Sequence, residues 1–177
     1  MSDPFETSAV RKGPSLKARA IALLSRREHS RVELRRKLSR HCENPAELDQ
    51  VLVELERGGW LSEQRFAESV VHRRAPRHGV RRILNELRQH DLPENTLNEV
   101  AERLRATELE RAREVWLRKF DTPPADAKEY ARQFRYMAAR GFSPDCLRRI
   151  LSEQSAASRN EARQLFDPDE LPPADEV

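Results

Sequence analysis

Residues 30–38 read Ser-Arg-Val-Glu-Leu-Arg-Arg-Lys-Leu and combine a helix-capping signal with an apolar helix face. Ser30 followed by Glu33 is a capping box, in which the hydroxyl and the carboxylate each satisfy an exposed backbone N–H at a helix start. Leu34 and Leu38 are about one turn apart and therefore lie on the same face of that helix. The stretch predicts a short amphipathic helix that begins after Ser30 and packs against a core through its two leucines.

The same pattern occurs twice more, in residues 79–87 (GVRRILNEL) and 126–134 (DAKEYARQF), at offsets of 49 and 47. A second apolar stripe follows each copy by about ten residues, and a less regular stripe precedes each copy. The following stripes are Leu48, Val51 and Leu52; Leu97, Val100 and Ala101; and Leu147, Ile150 and Leu151. The preceding stripes are Ala18 and Ile21; Ala67 and Val70; and Ala112 and Val115. Each unit is thus predicted to be three short helices, and the unit is repeated three times.

Local signals support these boundaries independently of the repeat. Asn44-Pro45 and Ser143-Pro144 place a capping side chain before a first-turn proline. Gly58-Gly59 and Gly141 stand where a helix should end, because glycine reaches the left-handed conformation at low cost.

The predicted fold is all-α, with about nine helices in three tandem three-helix bundles that form an elongated, curved row. A unit of about 45 residues is marginal alone, so neighbouring units should share core. The predicted segments are a flexible N-terminal tail (1–14), three repeats (15–60, 61–105 and 106–152) and an extension with an acidic, proline-containing tail (153–177).

Composition excludes several classes of protein. Charged residues make up 36% of the 177, and no apolar run approaches the ~20 residues of a membrane-spanning helix. The N-terminus lacks the apolar stretch of a secretory signal, which predicts a cytoplasmic protein. Cys42 and Cys146 stand alone and are expected to be reduced, inert thiols.

The sequence predicts neither a catalytic residue nor a metal or other cofactor. It contains none of the nucleotide-binding, zinc-protease or serine-hydrolase motifs, and its five glycines are too few for a phosphate-cradling loop. The five histidines lack metal-ligand spacing. His41-Cys42 is a poor ligand pair, since adjacent side chains on a helix point apart.

Basic residues are concentrated in two segments, although the net charge is only +3. Residues 11–40 hold eleven Lys and Arg against two Glu, and residues 73–90 hold six Arg against Glu86. Guanidinium groups suit phosphate because their planar fork donates two parallel hydrogen bonds. Contact with a nucleic-acid backbone is one interpretation, and solvated helix faces held by local ion pairs are the other. The candidate contact residues are Arg26, Arg27, Arg31, Arg35, Arg36, Arg40, Arg73, Arg74, Arg77, Arg81 and Arg82.

Most aromatic residues fall on core positions of the repeat, so packing is a better interpretation than stacking on bases. Trp60 and Tyr136 fit the core pattern least well.

Several of these stretches together resemble the RecX family of bacterial regulatory proteins. The resemblance rests on residues 59–68 (GWLSEQRFAE), on the copies at 30–38 and 79–87, and on Arg140-Gly141-Phe142 with Ile150. It covers residues 15–152 in the correct order. The chain departs from the family at residues 60–63, where Trp-Leu-Ser-Glu replaces the common Tyr-Leu-Asp-Asp, and the acidic tail from Asp167 lies outside the resemblance.

The resemblance implies a non-enzymatic modulator of the RecA recombinase in recombination, DNA repair and the SOS response. Such a protein would lie in the groove of the RecA filament on single-stranded DNA and suppress ATPase, strand-exchange and co-protease activity. It would act as a monomer, with weak direct DNA binding and no membrane partner. A direct DNA-binding protein that needs no filament, or a helical scaffold for another protein, is the alternative.

Overall fold

The computed structural model describes residues 13–120 and 122–165, with side chains through residue 156. Nine α-helices and no strand occur in that part of the chain, which confirms the all-α prediction and the tandem three-helix units. The elongated, curved row and the exact repeat bounds stay predictions. The helices are α1 (Leu16–Leu24), α2 (Arg31–Leu38), α3 (Pro45–Arg57), α4 (Glu63–Arg74), α5 (Val80–Arg88), α6 (Glu94–Ala106), α7 (Glu108–Leu117), α8 (Ala127–Ala139) and α9 (Pro144–Leu165).

The predicted N-terminal tail as far as residue 12 and the acidic tail from Asp167 lie outside the described residues. A short 3-10 helix (Ser39–His41) follows α2. Of the helices that the structure describes, none has the length and apolarity needed to cross a lipid bilayer.

The chain forms two compact units, whose boundary falls inside α4. The N-terminal unit extends to Ser69 and includes His90–Leu92, and the C-terminal unit contains Val70–Gln89 and the residues from Pro93 onward.

In the N-terminal unit, α1, α2 and α3 pack around a leucine-rich core. Leu34 and Leu38 are at most 1% exposed, as the opening stretch predicts. The other buried members of this core are Ala20, Leu48, Leu52, Leu55 and Leu61. Asn44 Oδ1 accepts a hydrogen bond from the Ala46 N–H at the start of α3, and Gly59 after its end has φ +70°. Both predicted α3 boundaries are confirmed.

Only one of the two hydrogen bonds of the predicted capping box at Ser30 forms. Ser30 Oγ accepts from the Glu33 N–H at 3.1 Å, as predicted. The Glu33 carboxylate, however, accepts from Arg27 Nη1 and His29 Nδ1, both at 2.9 Å, instead of from the Ser30 backbone. The Arg27 guanidinium is a charged donor and makes a stronger hydrogen bond than a backbone amide. The Glu33 carboxylate therefore turns to Arg27 and away from the Ser30 N–H. Although burial raises the pKa of Glu33, these two hydrogen bonds hold it below its ordinary value.

The C-terminal unit has a larger, more aromatic core. In α7–α9, Trp116, Phe142 and Met137 are each 1% exposed, and Trp116 Nε1 donates to Oε1 of the buried Gln133 at 2.8 Å. In α5 and α6 the buried side chains are Val80, Ile83, Leu84, Leu87, Leu97, Val100, Ala101 and Leu104.

The start of α5 lies directly on the turn between α8 and α9. The Gly79 N–H donates to the Arg140 carbonyl at 2.9 Å, and the Arg81 N–H donates to the Gly141 carbonyl at 3.1 Å. A Cβ on Gly79 would overlap the backbone of Gly141 and Phe142. Gly141 has φ +86°, and a Cβ there would lie 2.6 Å from the backbone N of Arg82. The backbones approach this closely because neither residue has a side chain.

Ser143 does not cap α9 as predicted. Its hydroxyl donates to Glu108 Oε2 at 2.7 Å, and its N–H donates to Glu108 Oε1 at 3.3 Å. Glu108 Oε1 also accepts from the Val80 N–H at 3.1 Å. The buried carboxylate at the start of α7 thus binds the N-terminal ends of α5 and α9, and it draws the Ser143 hydroxyl away from the helix backbone.

Three residues after Glu108, Arg111 binds carbonyl groups at helix ends. Its Nη1 donates to the Ala75 and His78 carbonyls after α4, and its Nη2 donates to the Leu104 carbonyl in the last turn of α6. Two of these carbonyls, those of Ala75 and Leu104, lie at helix C-terminal ends, where carbonyls lack partners within the helix and attract cations. The first turn of α7 therefore contacts α5, α6, α9 and the segment that follows α4.

We expect the protein to lose stability as the pH falls from 7.5 to 5.5. Burial lowers the pKa of His29, and burial together with the nearby Arg82, Arg74 and Arg140 lowers the pKa of His78. Below the ordinary histidine pKa of about 6.5, the unfolded chain therefore binds more protons than the folded chain. The free energy of unfolding, measured by urea denaturation, should decrease over this range.

The double variant His29→Gln, His78→Gln should flatten this pH dependence, because the two histidines that favour the unfolded state at low pH are gone. His72→Gln, at an exposed position, is the control and should keep the slope of the parent. A double variant with the full slope of the parent would contradict this assignment.

Candidate nucleic-acid interface

Basic clefts occur in both compact units of the described structure. In the N-terminal unit, a groove of about 520 Å³ lies along α1, the end of α2 and the 3-10 helix. We call it the α1–α2 groove. Its cationic lining is Arg19, Arg26, Lys37 and Arg40, and its other lining residues are Pro14, Ala18, Ala22, Leu23, Leu38 and His41.

Three of the candidate arginines of the N-terminal unit are held in ion pairs. Arg31 Nη1 lies 2.6 Å from Glu56 Oε1, Arg35 Nη1 lies 2.7 Å from Asp49 Oδ1, and Arg27 binds Glu33. These three fit the alternative interpretation of a solvated face held by local ion pairs. Among the described residues, no ion pair involves Arg26, Arg36 or Arg40, and all three are exposed.

The candidate arginines of the C-terminal unit also include some that are bound to other groups of the protein and some that form no ion pair among the described residues. Arg74 Nε lies 2.9 Å from Glu86 Oε2, and Arg82 Nη1 donates to the Ala139 carbonyl at 3.3 Å. Arg77 and Arg81 are exposed and form no ion pair within the described part of the chain. Arg73 is also exposed.

A cleft of about 380 Å³ in the C-terminal unit brings Arg81 together with Arg88 and Arg105. Asn85 lies on the same wall and accepts from Arg88 Nη1 at 3.2 Å. An adjoining cleft of about 300 Å³ shares Arg81 and Asn85 and adds Arg82.

Sequence reasoning missed four of the cations that line these clefts: Arg19, Lys37, Arg88 and Arg105. A signal was present for one of them. Arg81 and Arg88 are seven residues apart on α5, which places both on one helix face.

The two doubtful aromatic residues have different surroundings. Tyr136 is half-buried, with the Phe120 ring edge-on at 5.1 Å and the Arg140 guanidinium 3.7 Å from its centroid, so it belongs to the core of the C-terminal unit. Trp60 is 53% exposed in the turn between α3 and α4. Phe66, Trp116, Phe120 and Phe142 are buried, which confirms packing for these four.

Among the described residues, no group of three or more His, Cys, Asp and Glu side chains is placed to hold a metal ion. Burial raises the pKa of Cys146 to about 11, so this thiol stays protonated at neutral pH. Cys42 is also a free thiol, and its Sγ donates to the Asn44 carbonyl.

Comparison with known proteins gives matches over most of the chain. Three domain models of one family match in order: "RecX, first three-helix domain" at residues 17–55, "RecX, second three-helix domain" at 62–100 and "RecX, third three-helix domain" at 106–151. The crystal structure of RecX from Lactobacillus salivarius has the same fold, with a TM-score of 0.69 at 17% identity over 80% of this chain and 95% of that one.

Sequence relatives agree with this match. Regulatory protein RecX of Ralstonia pickettii (strain 12J) is 56% identical over 138 residues, which cover 78% of this chain and 87% of the relative. Regulatory protein RecX of Leptothrix cholodnii is 53% identical over 137 residues, which cover 77% of this chain and 87% of that relative. With all three domains matched in order and more than half of the aligned residues identical, this chain belongs to the RecX family of regulatory proteins.

Proposed function

We propose that this protein binds RecA filaments on single-stranded DNA, lies in the filament groove and inhibits ATPase, strand-exchange and co-protease activity. It thereby modulates recombination and DNA repair in the cytoplasm, as a monomer without a catalytic step of its own. The match of all three RecX domain models in order carries this proposal, because it covers every helical unit of the chain.

The charge distribution supports contact with the phosphates of filament DNA. We propose the eleven candidate arginines as the contact set, and we expect unequal contributions within it. The five exposed arginines that form no ion pair among the described residues can donate to phosphate without first releasing a carboxylate. They are Arg26, Arg36, Arg40, Arg77 and Arg81.

Basic residues in both compact units also suit a filament, which presents the same surface at every protomer. Weak contacts on one chain reinforce each other, since the first contact raises the effective concentration of the next. Occupation of the groove would exclude a second DNA molecule and restrict the protomer motions that accompany ATP turnover.

Two measurements test the proposed function. The first is RecA ATPase activity on single-stranded DNA as this protein is titrated in, and the second is its affinity for naked duplex over a salt series. Inhibition at concentrations that leave naked duplex unbound supports the proposal. Tight, sequence-selective duplex binding without an effect on RecA would contradict it and support a direct DNA-binding protein.

A charge-reversal variant tests the contact residues. Arg77→Glu with Arg81→Glu should raise the concentration for half-inhibition of RecA ATPase about tenfold or more, because two phosphate donors become repulsive. Thermal melting should stay close to that of the parent, since both side chains are exposed.

Lys128→Glu with Arg135→Glu is the matched control. It makes the same change in charge at exposed positions of α8 in the same unit and should inhibit like the parent. Equal loss of inhibition in both double variants would show that only net charge matters. Arg31 and Arg35 are unsuitable for reversal, because a carboxylate there would face Glu56 or Asp49 and destabilise the N-terminal unit.

A further inference from the structure

The α1–α2 groove combines cationic walls with an apolar floor. Arg19 comes from α1, Arg26 from the turn after it, Lys37 from α2 and Arg40 from the 3-10 helix. The apolar lining, which we call the floor, consists of Ala18, Ala22, Leu23 and Leu38, and His41 also lines the groove.

Within the part of the chain that the structure describes, no carboxylate neutralises the positive charge of the groove. No Asp or Glu is among the described residues that line it, and no ion pair in the described structure involves Arg26, Lys37 or Arg40. Arg19 is oriented by a hydrogen bond from its Nε to the Pro14 carbonyl at 3.0 Å. Arg31 and Arg35, also on α2, are paired with acids of α3 instead. Apart from Arg36, the cations of residues 13–40 that form no ion pair in the described structure therefore line the groove.

The shape and the floor indicate which polyanion fits. The volume of about 520 Å³ lies within the range of about 300–1,000 Å³ for pockets that take a small organic group. A duplex keeps its bases stacked inside and can offer only phosphates to such a groove, which leaves the apolar floor uncovered. An unpaired nucleotide can place its phosphate on the cations and its base on the floor, with the His41 ring available for stacking.

We propose that the α1–α2 groove is a binding site for single-stranded nucleic acid, in which phosphates contact Arg19, Arg26, Lys37 and Arg40 and one base lies on the floor of Ala22, Leu23 and Leu38. This site deepens the proposed function and rests on it, since it assigns a strand-binding role to one defined part of the N-terminal unit. It requires that the full-length protein bind single-stranded DNA in the absence of RecA.

Fluorescence anisotropy with a labelled oligo-dT tests the cationic walls. Arg26→Gln with Arg40→Gln should weaken binding about tenfold and reduce the slope of log K against log salt by about 1.4, which is the contribution of two phosphate contacts. Arg57→Gln with Lys128→Gln removes the same charge at exposed positions that lie outside the groove and outside the proposed contact set, and it should bind almost like the parent. Equal weakening by the two double variants would overturn the proposal.

A second variant tests the floor without changing the charge. Ala22 is exposed on α1, so Ala22→Phe should fill the groove and leave the core intact, as thermal melting can verify. The parent should bind oligo-dT several-fold more tightly than an abasic oligomer of equal length, and Ala22→Phe should abolish that difference. Equal affinity of the parent for both oligomers, or equal competition by polyglutamate, would overturn base recognition in the groove.

Failure of this site and failure of the proposed function give different results. If the groove variants bind oligo-dT like the parent while the parent inhibits RecA ATPase, only the groove assignment is wrong. If the parent binds oligo-dT through the groove and leaves RecA ATPase unchanged, the proposed function is wrong.

Discussion

Replacing Gly79 by alanine is expected to lower the free energy of unfolding by about 3 kcal/mol, the upper end of the usual cost of overpacking. A Cβ at this position would overlap the backbone N of Phe142 and the carbonyl group of Gly141. Backbone atoms cannot move aside as a flexible side chain can, so the start of α5 would have to separate from the α8–α9 turn. The hydrogen bond from the Gly79 N–H to the Arg140 carbonyl would lengthen with it.

Gly59→Ala provides the comparison that isolates this contact. Gly59 also has a positive φ, +70°, but nothing lies within 4 Å of a Cβ built there. Only the left-handed backbone should oppose the substitution, at about 1 kcal/mol. Urea denaturation of the two variants checks the prediction, and a Gly79→Ala loss no larger than the Gly59→Ala loss would contradict it.

The three copies of the repeat show what a sequence period can and cannot predict about the start of a helix. The corresponding residues at the three helix starts are Ser30, Gly79 and Asp126. Ser30 and Asp126 cap their own helices by accepting from the N–H groups of Glu33 and Glu129, which is a local interaction visible in the sequence. Gly79 has no side chain, and the acceptor at the start of α5 is Glu108, which is 29 residues away. The period predicts that a helix begins there, but the acceptor depends on how α7 packs.

The basic surfaces could also be predicted only in part. The count of charges along the chain identifies residues 11–40 and 73–90 as basic, and both segments carry exposed arginines in the structure. This count cannot show which arginines form ion pairs, because Glu56 and Asp49 reach Arg31 and Arg35 from a different helix. The α1–α2 groove was missed for the same reason, since it combines side chains of two helices and a 3-10 turn.

Glu108→Ala is expected to be at least as destabilising as Gly79→Ala and to lower the free energy of unfolding by about 4 kcal/mol. The carboxylate is 6% exposed and accepts from the Val80 N–H, the Ser143 N–H and the Ser143 hydroxyl. Its removal leaves the buried Val80 N–H and the two half-buried donors of Ser143 without an acceptor, and each unsatisfied buried group costs about 1–3 kcal/mol. Loss of the negative charge near the half-buried Arg111 guanidinium adds to this cost, because the two opposite charges attract each other.

Four further variants separate the carboxylate's contacts from a general effect of substitution in α7. Glu110→Ala, exposed on the same helix, should change the free energy of unfolding by less than about 0.5 kcal/mol. Ser143→Ala should cost about 1 kcal/mol, and its combination with Glu108→Ala should cost less than the sum of the two, because they share a hydrogen bond. Glu108→Gln should retain part of the stability, since its amide oxygen can still accept from the Val80 N–H. Urea denaturation measures all five variants, and a Glu108→Ala loss as small as that of Glu110→Ala would show that the first turn of α7 does not hold α5 and α9 in place.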